Sequence, residues 1–307
     1  MKRKIKNIFL LLLALLLAIA VLLTFSLRMS EPEERKHQLT VMTWNTHSLS
    51  QYAPIDRNEV VCYLREHPTD IICLQECAVL GNGKGISMKE LKTAMAPYYP
   101  YSYYDFKIHN RRIQYGNIVY SRYPLINKRT VPYESQGNIS SQCDVVVDGD
   151  TIALFVNHLE SNRLAPSDIE HTDTLSHKIN LARARRWEQA HALRQAIDSS
   201  RYTHLVVGDF NTPPYTLTYL YVRQMMQDCF LNGSNGKVGY TYYWHRIGVR
   251  IDYILADRSV DVVESHVDKN AKGSDHYPVW ATVTFGSNEN KTPNGYENEN
   301  KEELIDW

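Results

Sequence analysis

The chain has 307 residues, of which 43% are hydrophobic. That length fits one large α/β domain with short additions better than two full domains. Its 34 basic and 34 acidic residues balance, and when the first 30 residues and the tail from Gly286 are set aside, 27 basic and 28 acidic residues remain. A near-neutral central part counts against a protein that coats nucleic acid, because such binding depends on an excess of Lys and Arg.

An apolar run without a charge occupies residues 8–27. Twenty residues of helix rise about 30 Å, which is enough to cross the hydrocarbon core of a bilayer. Four basic residues precede the run and only Arg28 follows it closely, so the positive-inside rule predicts a cytoplasmic N-terminus and an exported domain. Residues 1–30 are therefore interpreted as a basic stub and a transmembrane anchor. A cleaved signal peptide is the alternative, because Ala18-Ile19-Ala20 resembles a cleavage site.

Residues 31–38 are interpreted as a polar linker, 39–285 as the main domain and 286–307 as a disordered tail rich in Asn, Glu and Lys. Within the domain, apolar spacing, a capping box at Ser87 and the turn Asp148-Gly149-Asp150 predict mixed strands and helices. The predicted strands are 39–44, 70–74, 117–120, 144–147, 151–156, 204–207, 250–255 and 279–285, and the predicted helices are 55–66, 87–95 and 179–197. Strict βαβ alternation is missing, which favours packed sheets with outer helices.

The five cysteines are odd in number and scattered, and no second Cys or His pair completes a zinc pattern. They are interpreted as buried apolar side chains with at most one disulfide.

Six short apolar segments lie next to polar residues that are able to bind a metal or move a proton. A single carboxylate of this kind is an ordinary strand end, but six in one domain indicate strands that converge on a polar site. Asn, Asp and Glu oxygens suit Mg²⁺ or Mn²⁺, and histidines nearby suit proton transfer or charge stabilisation. The residues are Asn45, Glu76, His158, Asp209 with Asn211, Asp252, and Asp275 with His276.

At these residues the chain resembles the endonuclease/exonuclease/phosphatase superfamily, which includes deoxyribonuclease I, exonuclease III-like nucleases and neutral sphingomyelinases. The matching motifs follow the family's order and span nearly all of residues 39–285. They are Thr43-Trp44-Asn45, Leu74-Gln75-Glu76, the run Gly116 to Pro124, Asn157-His158-Leu159, Gly208-Asp209-Phe210-Asn211, Ile251-Asp252-Tyr253 and Ser274-Asp275-His276. The resemblance implies an α/β fold of two mixed β-sheets packed as a sandwich and flanked by helices, with the site at one edge.

The resemblance also implies a role for each residue. Glu76 is the expected Mg²⁺ (or Mn²⁺) ligand with Asn45 beside it, and Asp275 is either a further ligand or a brace of the site. Asp209 is expected to orient or deprotonate the attacking water, and Asn211 to hold that water or a phosphate oxygen. His276, oriented by Asp252, is expected to contact the scissile phosphate. His158 matches a second histidine of the deoxyribonuclease I and sphingomyelinase branches.

These roles describe a metal-dependent hydrolase that cleaves a phosphodiester or phosphomonoester by in-line attack of water. The substrate stays open between nucleic acid and a lipid headgroup or small phosphoester, and the anchor modestly favours the latter. An inactive binding module of the same fold is the alternative, although the complete set of polar residues counts against it. Segment 160–177 is the expected substrate-facing loop. The cluster Arg183-Arg185-Arg186 is either a phosphate grip or a solvated helix face.

Overall fold

The computed structural model describes residues 36–49, 53–80, 85–162, 172–235, 237, 239–244 and 247–286. The expected anchor at 8–27 and the expected tail from 287 onward lie outside these ranges. Within them, no helix combines the length and the apolar character that a membrane crossing needs.

Six strands form the first sheet, in the order β13-β14-β1-β2-β4-β3. β1 and β2 are parallel, whereas β4 pairs antiparallel with both β2 and β3, and β13 pairs antiparallel with β14. The sheet is therefore mixed. Its strands are β1 Lys36–Asn45, β2 Ile71–Leu80, β3 Tyr101–His109, β4 Ile113–Ser121, β13 Asp261–Val267 and β14 Val279–Gly286.

The second sheet also has six strands, in the order β5-β6-β7-β8-β12-β9. β7 and β8 are parallel and the other pairs are antiparallel. Two three-residue strands, β10 Tyr242–Trp244 and β11 Ile247–Val249, form a separate hairpin. The sheet consists of β5 Leu125–Thr130, β6 Ile139–Val147, β7 Asp150–His158, β8 His204–Asp209, β9 Met226–Asp228 and β12 Asp252–Asp257.

Alternation along the strands builds the layers, because successive side chains point to opposite faces. In β1, Leu39 and Val41 join the core shared by both sheets, while Met42 and Trp44 face the opposite way. The apolar residues that alternate along β14, which are Val279, Ala281, Val283 and Phe285, all belong to the shared core. Each fully buried side chain of this kind contributes roughly 1.5–3 kcal/mol.

Helices cover both outer faces. α1 and α2 pack on the first sheet, and α3 and α4 pack on the second. The expected fold of two mixed sheets with flanking helices is thus confirmed. The helices are α1 Glu59–Glu66, α2 Met88–Met95, α3 Thr172–Asp198, α4 Leu217–Val222 and α5 Cys229–Gly233, with a short 3-10 helix at Ile55–Arg57. His47–Leu49 form a turn in which all three residues have positive φ.

Local details differ from the sequence prediction at several boundaries. The helix predicted from residue 55 begins at Glu59, because the Asn58 side chain accepts a hydrogen bond from Val61 N–H and caps the helix there. β1 begins at Lys36, inside the segment interpreted as a linker. The capping box at Ser87 is present. All five cysteines, which lie in described ranges, are free, so none forms the disulfide that was left open.

Candidate active site

Strand ends from both sheets meet at one edge of the sandwich. Asn45 is the last residue of β1, and Asp209 is the last residue of β8. In the second sheet, Asp209 pairs in register with His158 on one side and with Asp252 on the other. The sheet pairing therefore places these three side-chain positions in one row.

Asn45 links the two sheets at this edge. Its Nδ2 donates to Glu76 Oε1 at 3.1 Å and to Asp209 Oδ2 at 2.9 Å, and its Oδ1 accepts the His47 N–H. The side chain is 1% exposed, so both carboxylates contact an amide that bulk water does not reach. Asn45 thus fixes the spacing between Glu76 and Asp209.

Glu76 lies at an irregular point of β2, where the pairing with β4 shifts between Leu74 and Cys77. Its φ is +52°, in the left-handed region that non-glycine residues rarely adopt. This bulge turns the carboxylate toward His158, whose Nε2 lies 3.2 Å from Glu76 Oε1. Burial would raise the pKa of Glu76, but His158, Asn45 and His276 outweigh it and lower the pKa to about 2. Glu76 is therefore anionic at neutral pH.

Asp209 is held by the turn that follows it. Its Oδ1 accepts the Asn211 N–H at 2.7 Å and its Oδ2 accepts Asn211 Nδ2 at 3.1 Å. Asn211 Nδ2 also donates to Leu159 O at 2.9 Å. The backbone φ of Asn211 is +50°. Burial and the nearby Asp252 raise the pKa of Asp209 to about 6, although His276, His158 and Asn45 act in the opposite direction.

His276 and Asp252 form a buried pair. His276 Nδ1 lies 2.9 Å from Asp252 Oδ2, and His276 Nε2 lies 3.9 Å from Asp209 Oδ2. Trp44 Nε1 donates to the His276 carbonyl at 2.9 Å and fixes the backbone. Burial would lower the pKa of His276, but Asp252 and Asp209 outweigh it and raise the pKa to about 10. The imidazole is thus a cation whose Nε2 side faces the site.

His158 is buried as well. Burial would lower its pKa, but Glu76 and Asp209 outweigh burial and raise it. Apart from the 3.2 Å approach to Glu76, its Nε2 has no regular hydrogen-bond partner among the described residues. The Nε2 atom of His158 can therefore form a hydrogen bond with a further group.

Asp275 lies at the rim, away from the other predicted residues. Its carboxylate is 44% exposed and pairs with His47 Nδ1 at 3.1 Å. The adjacent Ser274 hydroxyl donates to Asn45 O at 2.7 Å, so this segment braces the end of β1. The structure thus brings together seven of the eight predicted residues and places Asp275 outside the inner cluster.

Among the residues that the structure describes, two groups of side chains could hold a metal ion, and they share Asp209. One consists of Glu76, His158 and Asp209, and the other of Asp209, Asp252 and His276; within each, the ligand atoms lie within 4.8 Å of one another. The pKa of Glu76, at about 2, keeps this oxygen donor anionic. Carboxylate and amide oxygens fit a hard divalent cation, whereas a protonated His276 does not bind a metal.

Two tyrosines near this cluster were missed in the sequence. Burial and then Glu76 raise the pKa of the Tyr115 hydroxyl, which places that phenol beside the carboxylate. Tyr242 packs its ring 4.7 Å from the His276 ring. Tyr115 directly precedes the matched motif at Gly116, but Tyr242 lies between motifs and carries no sequence signal.

Two arginines of α3, Arg185 and Arg186, hold the segment that follows His158, whereas Arg183 is exposed. Arg186 is 5% exposed and donates to Glu160 O and to Asn162 Oδ1 at 2.9 Å. Arg185 pairs with the Glu160 carboxylate at 3.2 Å. Arg186 is therefore not on a solvated helix face. It anchors the start of the expected substrate-facing segment, of which 163–171 lie outside the described ranges.

The fold and this edge site define the class of two-sheet α/β proteins with a carboxylate and histidine cluster at one end of the sandwich. The chain belongs to the Endonuclease/Exonuclease/phosphatase family, whose sequence profile matches residues 42–276. No curated protein matches it.

Solved structures of the same fold are similar at low identity. An endonuclease/exonuclease/phosphatase from Beutenbergia cavernae is 22% identical with a TM-score of 0.61, covering 81% of this chain and 72% of that one. A family protein from Bacteroides thetaiotaomicron is 17% identical with a TM-score of 0.57, covering 82% and 99%. A 3′ phosphatase from Neisseria bound to a product DNA hairpin is 16% identical with a TM-score of 0.57, covering 79% and 98%. At these identities the likeness concerns the fold.

Proposed function

We propose that this protein is a divalent-metal-dependent phosphoesterase that hydrolyses its substrate by in-line attack of water. The observation that carries the proposal is the pair of side-chain clusters that share Asp209. One cluster offers anionic oxygen, and the other offers a cationic imidazole held by a carboxylate. Phosphoryl transfer needs both, because negative charge on the phosphate oxygens must be neutralised while water is activated.

Glu76 would hold Mg²⁺ or Mn²⁺ through its carboxylate oxygens, with Asp275 as a rim ligand or brace. Asn45 presents its Nδ2 to Glu76 and Asp209, so its amide would have to turn over to offer its oxygen to the ion. When bound, the ion would supply positive charge that stabilises the phosphate oxygens.

Asp209 is the proposed base or orienting group for water, and its pKa of about 6 leaves it mostly ionised at neutral pH. Asn211 fixes the Asp209 carboxylate through two hydrogen bonds and would position the water or a phosphate oxygen. His276 would donate from Nε2 to the scissile phosphate while Asp252 holds Nδ1 and fixes the orientation of the ring. His158, buried with Nε2 directed at Glu76, would contribute a second positive charge.

The proposed substrate is a nucleic acid or a lipid or small phosphoester, and the proposed location is the outer side of a membrane through the N-terminal anchor. The Neisseria protein of the same fold binds product DNA, which supports a test of nucleic acid first. A catalytically inactive module that binds phosphate or a partner is the competing function.

The test is a hydrolysis panel with the full-length chain in mild detergent. Plasmid DNA, RNA, sphingomyelin, phosphoinositides and bis-p-nitrophenyl phosphate are each incubated with Mg²⁺, Mn²⁺ or EDTA, beside the Asp209→Ala variant. EDTA-sensitive turnover that the variant lacks is the expected result. Phosphate binding without turnover of any substrate would support the inactive module instead.

A further inference from the structure

A cationic cleft of about 480 Å³ opens beside the end of β13. Its floor is Phe230, against which Gly239 lies so closely that a Cβ there would be 2.3 Å from the ring. Lys237 and Lys269 line it, and both are exposed. Asp268 is the one acid among the described lining residues, and its carboxylate accepts bonds from Tyr63 and Asn270. Counting two lysines against one aspartate, the cleft carries a net positive charge.

The β10 strand connects this cleft to the candidate active site. Tyr242 packs 4.7 Å from the His276 ring, whereas the next residue, Tyr243, packs 4.5 Å from the Tyr240 ring. The Lys269 ammonium lies 3.6 Å above the centre of the Tyr240 ring. Successive residues of a strand point to opposite faces, so Tyr242 lies on the His276 face of β10 and Tyr243 on the face of Tyr240. A chain bound at both places would pass over the edge of this short strand.

The tyrosines have different roles in this patch. Tyr240 is packed on two sides, because a Cβ added at Gly248 would lie 2.6 Å from its Cγ and Lys269 lies over the ring. It therefore positions the lysine by cation–π attraction. Tyr243 is 43% exposed and offers a ring surface to a ligand. The patch thus combines two cations with one available aromatic ring.

Resting on the proposed phosphoesterase function, we propose that the cleft binds an unpaired nucleotide strand whose neighbouring phosphodiester lies at His276. Lysines neutralise backbone phosphates, and an exposed tyrosine stacks on any base. A lipid headgroup or small monoester supplies no second phosphate with a planar ring, and a duplex hides its base faces. The near-neutral net charge of the domain does not oppose this proposal, because the positive charge is local.

A second cationic cleft provides a matched control. It measures about 370 Å³ and is lined by Lys128, Arg129 and Arg201 among others. Arg201 precedes β8, whose opposite end carries Asp209, so this cleft lies at the far edge of the sheet. Loss of two positive charges there changes the net charge equally without touching the proposed binding patch.

The experiment measures binding of a fluorescein-labelled 12-nucleotide thymidine strand to the full-length chain by fluorescence anisotropy. EDTA prevents cleavage, and salt is varied from about 50 to 200 mM. The variants are Lys237→Gln with Lys269→Gln, the control Lys128→Gln with Arg201→Gln, and Tyr243→Ala beside Tyr243→Phe. Hydrolysis of bis-p-nitrophenyl phosphate by the unaltered chain with Mg²⁺ is measured in parallel.

Each phosphate contact on a single strand contributes about 0.7 to the slope of log affinity against log salt, so the first double variant should lose about 1.4 of that slope. It should bind at least about tenfold more weakly, while the control keeps the slope. Tyr243→Ala should bind at least about fivefold more weakly, and Tyr243→Phe within about twofold. Equal slopes of log affinity against log salt in the two double variants would contradict the proposal that this cleft binds the strand. If bis-p-nitrophenyl phosphate is not hydrolysed but the variants lose binding as predicted, the enzyme proposal is wrong and the proposed binding at the cleft is supported.

Discussion

His276 and Asp252 form a buried pair in which the imidazole Nδ1 lies 2.9 Å from a carboxylate oxygen. Asp252 is paired in β12 directly opposite Asp209 of β8, so the sheet itself sets the position of the carboxylate. The pair couples the protonation of His276 to a carboxylate that has no exposed surface.

Replacing Asp252 with Asn should move the alkaline limb of the pH–rate profile to lower pH. Asp252 is the main charge that holds the His276 pKa at about 10, so without it the imidazolium loses its proton earlier as pH rises. We also expect kcat to fall by about 100-fold or more, as for other disturbed proton-transfer groups. The control is Asp56→Asn, which changes an exposed carboxylate. An unmoved alkaline limb would show that His276 does not set it.

Gly208→Ala should destabilise the fold by about 3 kcal/mol or more, measured by urea unfolding. The φ of Gly208 is +122°, and a Cβ there would lie 2.1 Å from the Asn157 carbonyl oxygen. That contact lies in the parallel pairing of β7 with β8, one residue before Asp209. Gly137→Ala is the matched control, because its Cβ would meet nothing closer than 3.9 Å. Equal stability of the two variants would contradict this account of the strand pairing.

His204 should make the protein less stable as pH falls from 7 to 5. Burial lowers the pKa of His204 from its usual 6.5, although Asp257 acts in the opposite direction. The unfolded chain therefore binds the proton more tightly than the folded one. The stability that neutral His204 contributes is fully present above pH 6.5. It is lost as the pH falls toward the pKa that His204 has in the folded state.

The comparison that isolates this residue is His204→Gln, with the free energy of unfolding measured at each pH. His158 and His276 have raised pKa values and act in the opposite direction, but they are the same in both proteins. The loss of stability between pH 7 and 5 should be smaller in the variant. A loss as large as in the unaltered protein would rule out His204 as its source.

The sequence located the polar strand ends well, because each follows or precedes a short apolar run that forms a buried strand. Asn45, His158 and Asp209 all end such strands. Glu76 was placed after a strand predicted to end at residue 74, yet β2 continues through a bulge to Leu80. The bulge turns Glu76 toward His158, and no local pattern signals it.

Elements without clean periodicity were not predicted. β3 has half-buried side chains on both faces, β13 is largely exposed, and β10 and β11 have three residues each. The meeting of Asn45 with Asp209, which are 164 positions apart, depends on how the sheets pack. The recurrence of polar strand ends indicated a shared site, but local sequence does not say which side chains meet, so this contact was not predicted. For the same reason the cleft beside β10 was not foreseen.

Metal dependence at Glu76 is the centre of the proposed mechanism. Glu76→Gln keeps the shape of the side chain but removes the charge that a divalent cation would neutralise. Its matched control is Glu66→Gln, an exposed carboxylate at the end of α1. Circular dichroism checks that both variants are folded.

The decisive measurement is hydrolysis of bis-p-nitrophenyl phosphate by EDTA-treated full-length protein as Mg²⁺ or Mn²⁺ is added back, with Mn²⁺ affinity determined by calorimetry on the same samples. The unaltered chain and Glu66→Gln should regain activity, whereas Glu76→Gln should stay at least about 100-fold less active and bind Mn²⁺ at least about tenfold more weakly. Full activity and unchanged Mn²⁺ affinity in Glu76→Gln would contradict the assignment of the metal to this carboxylate.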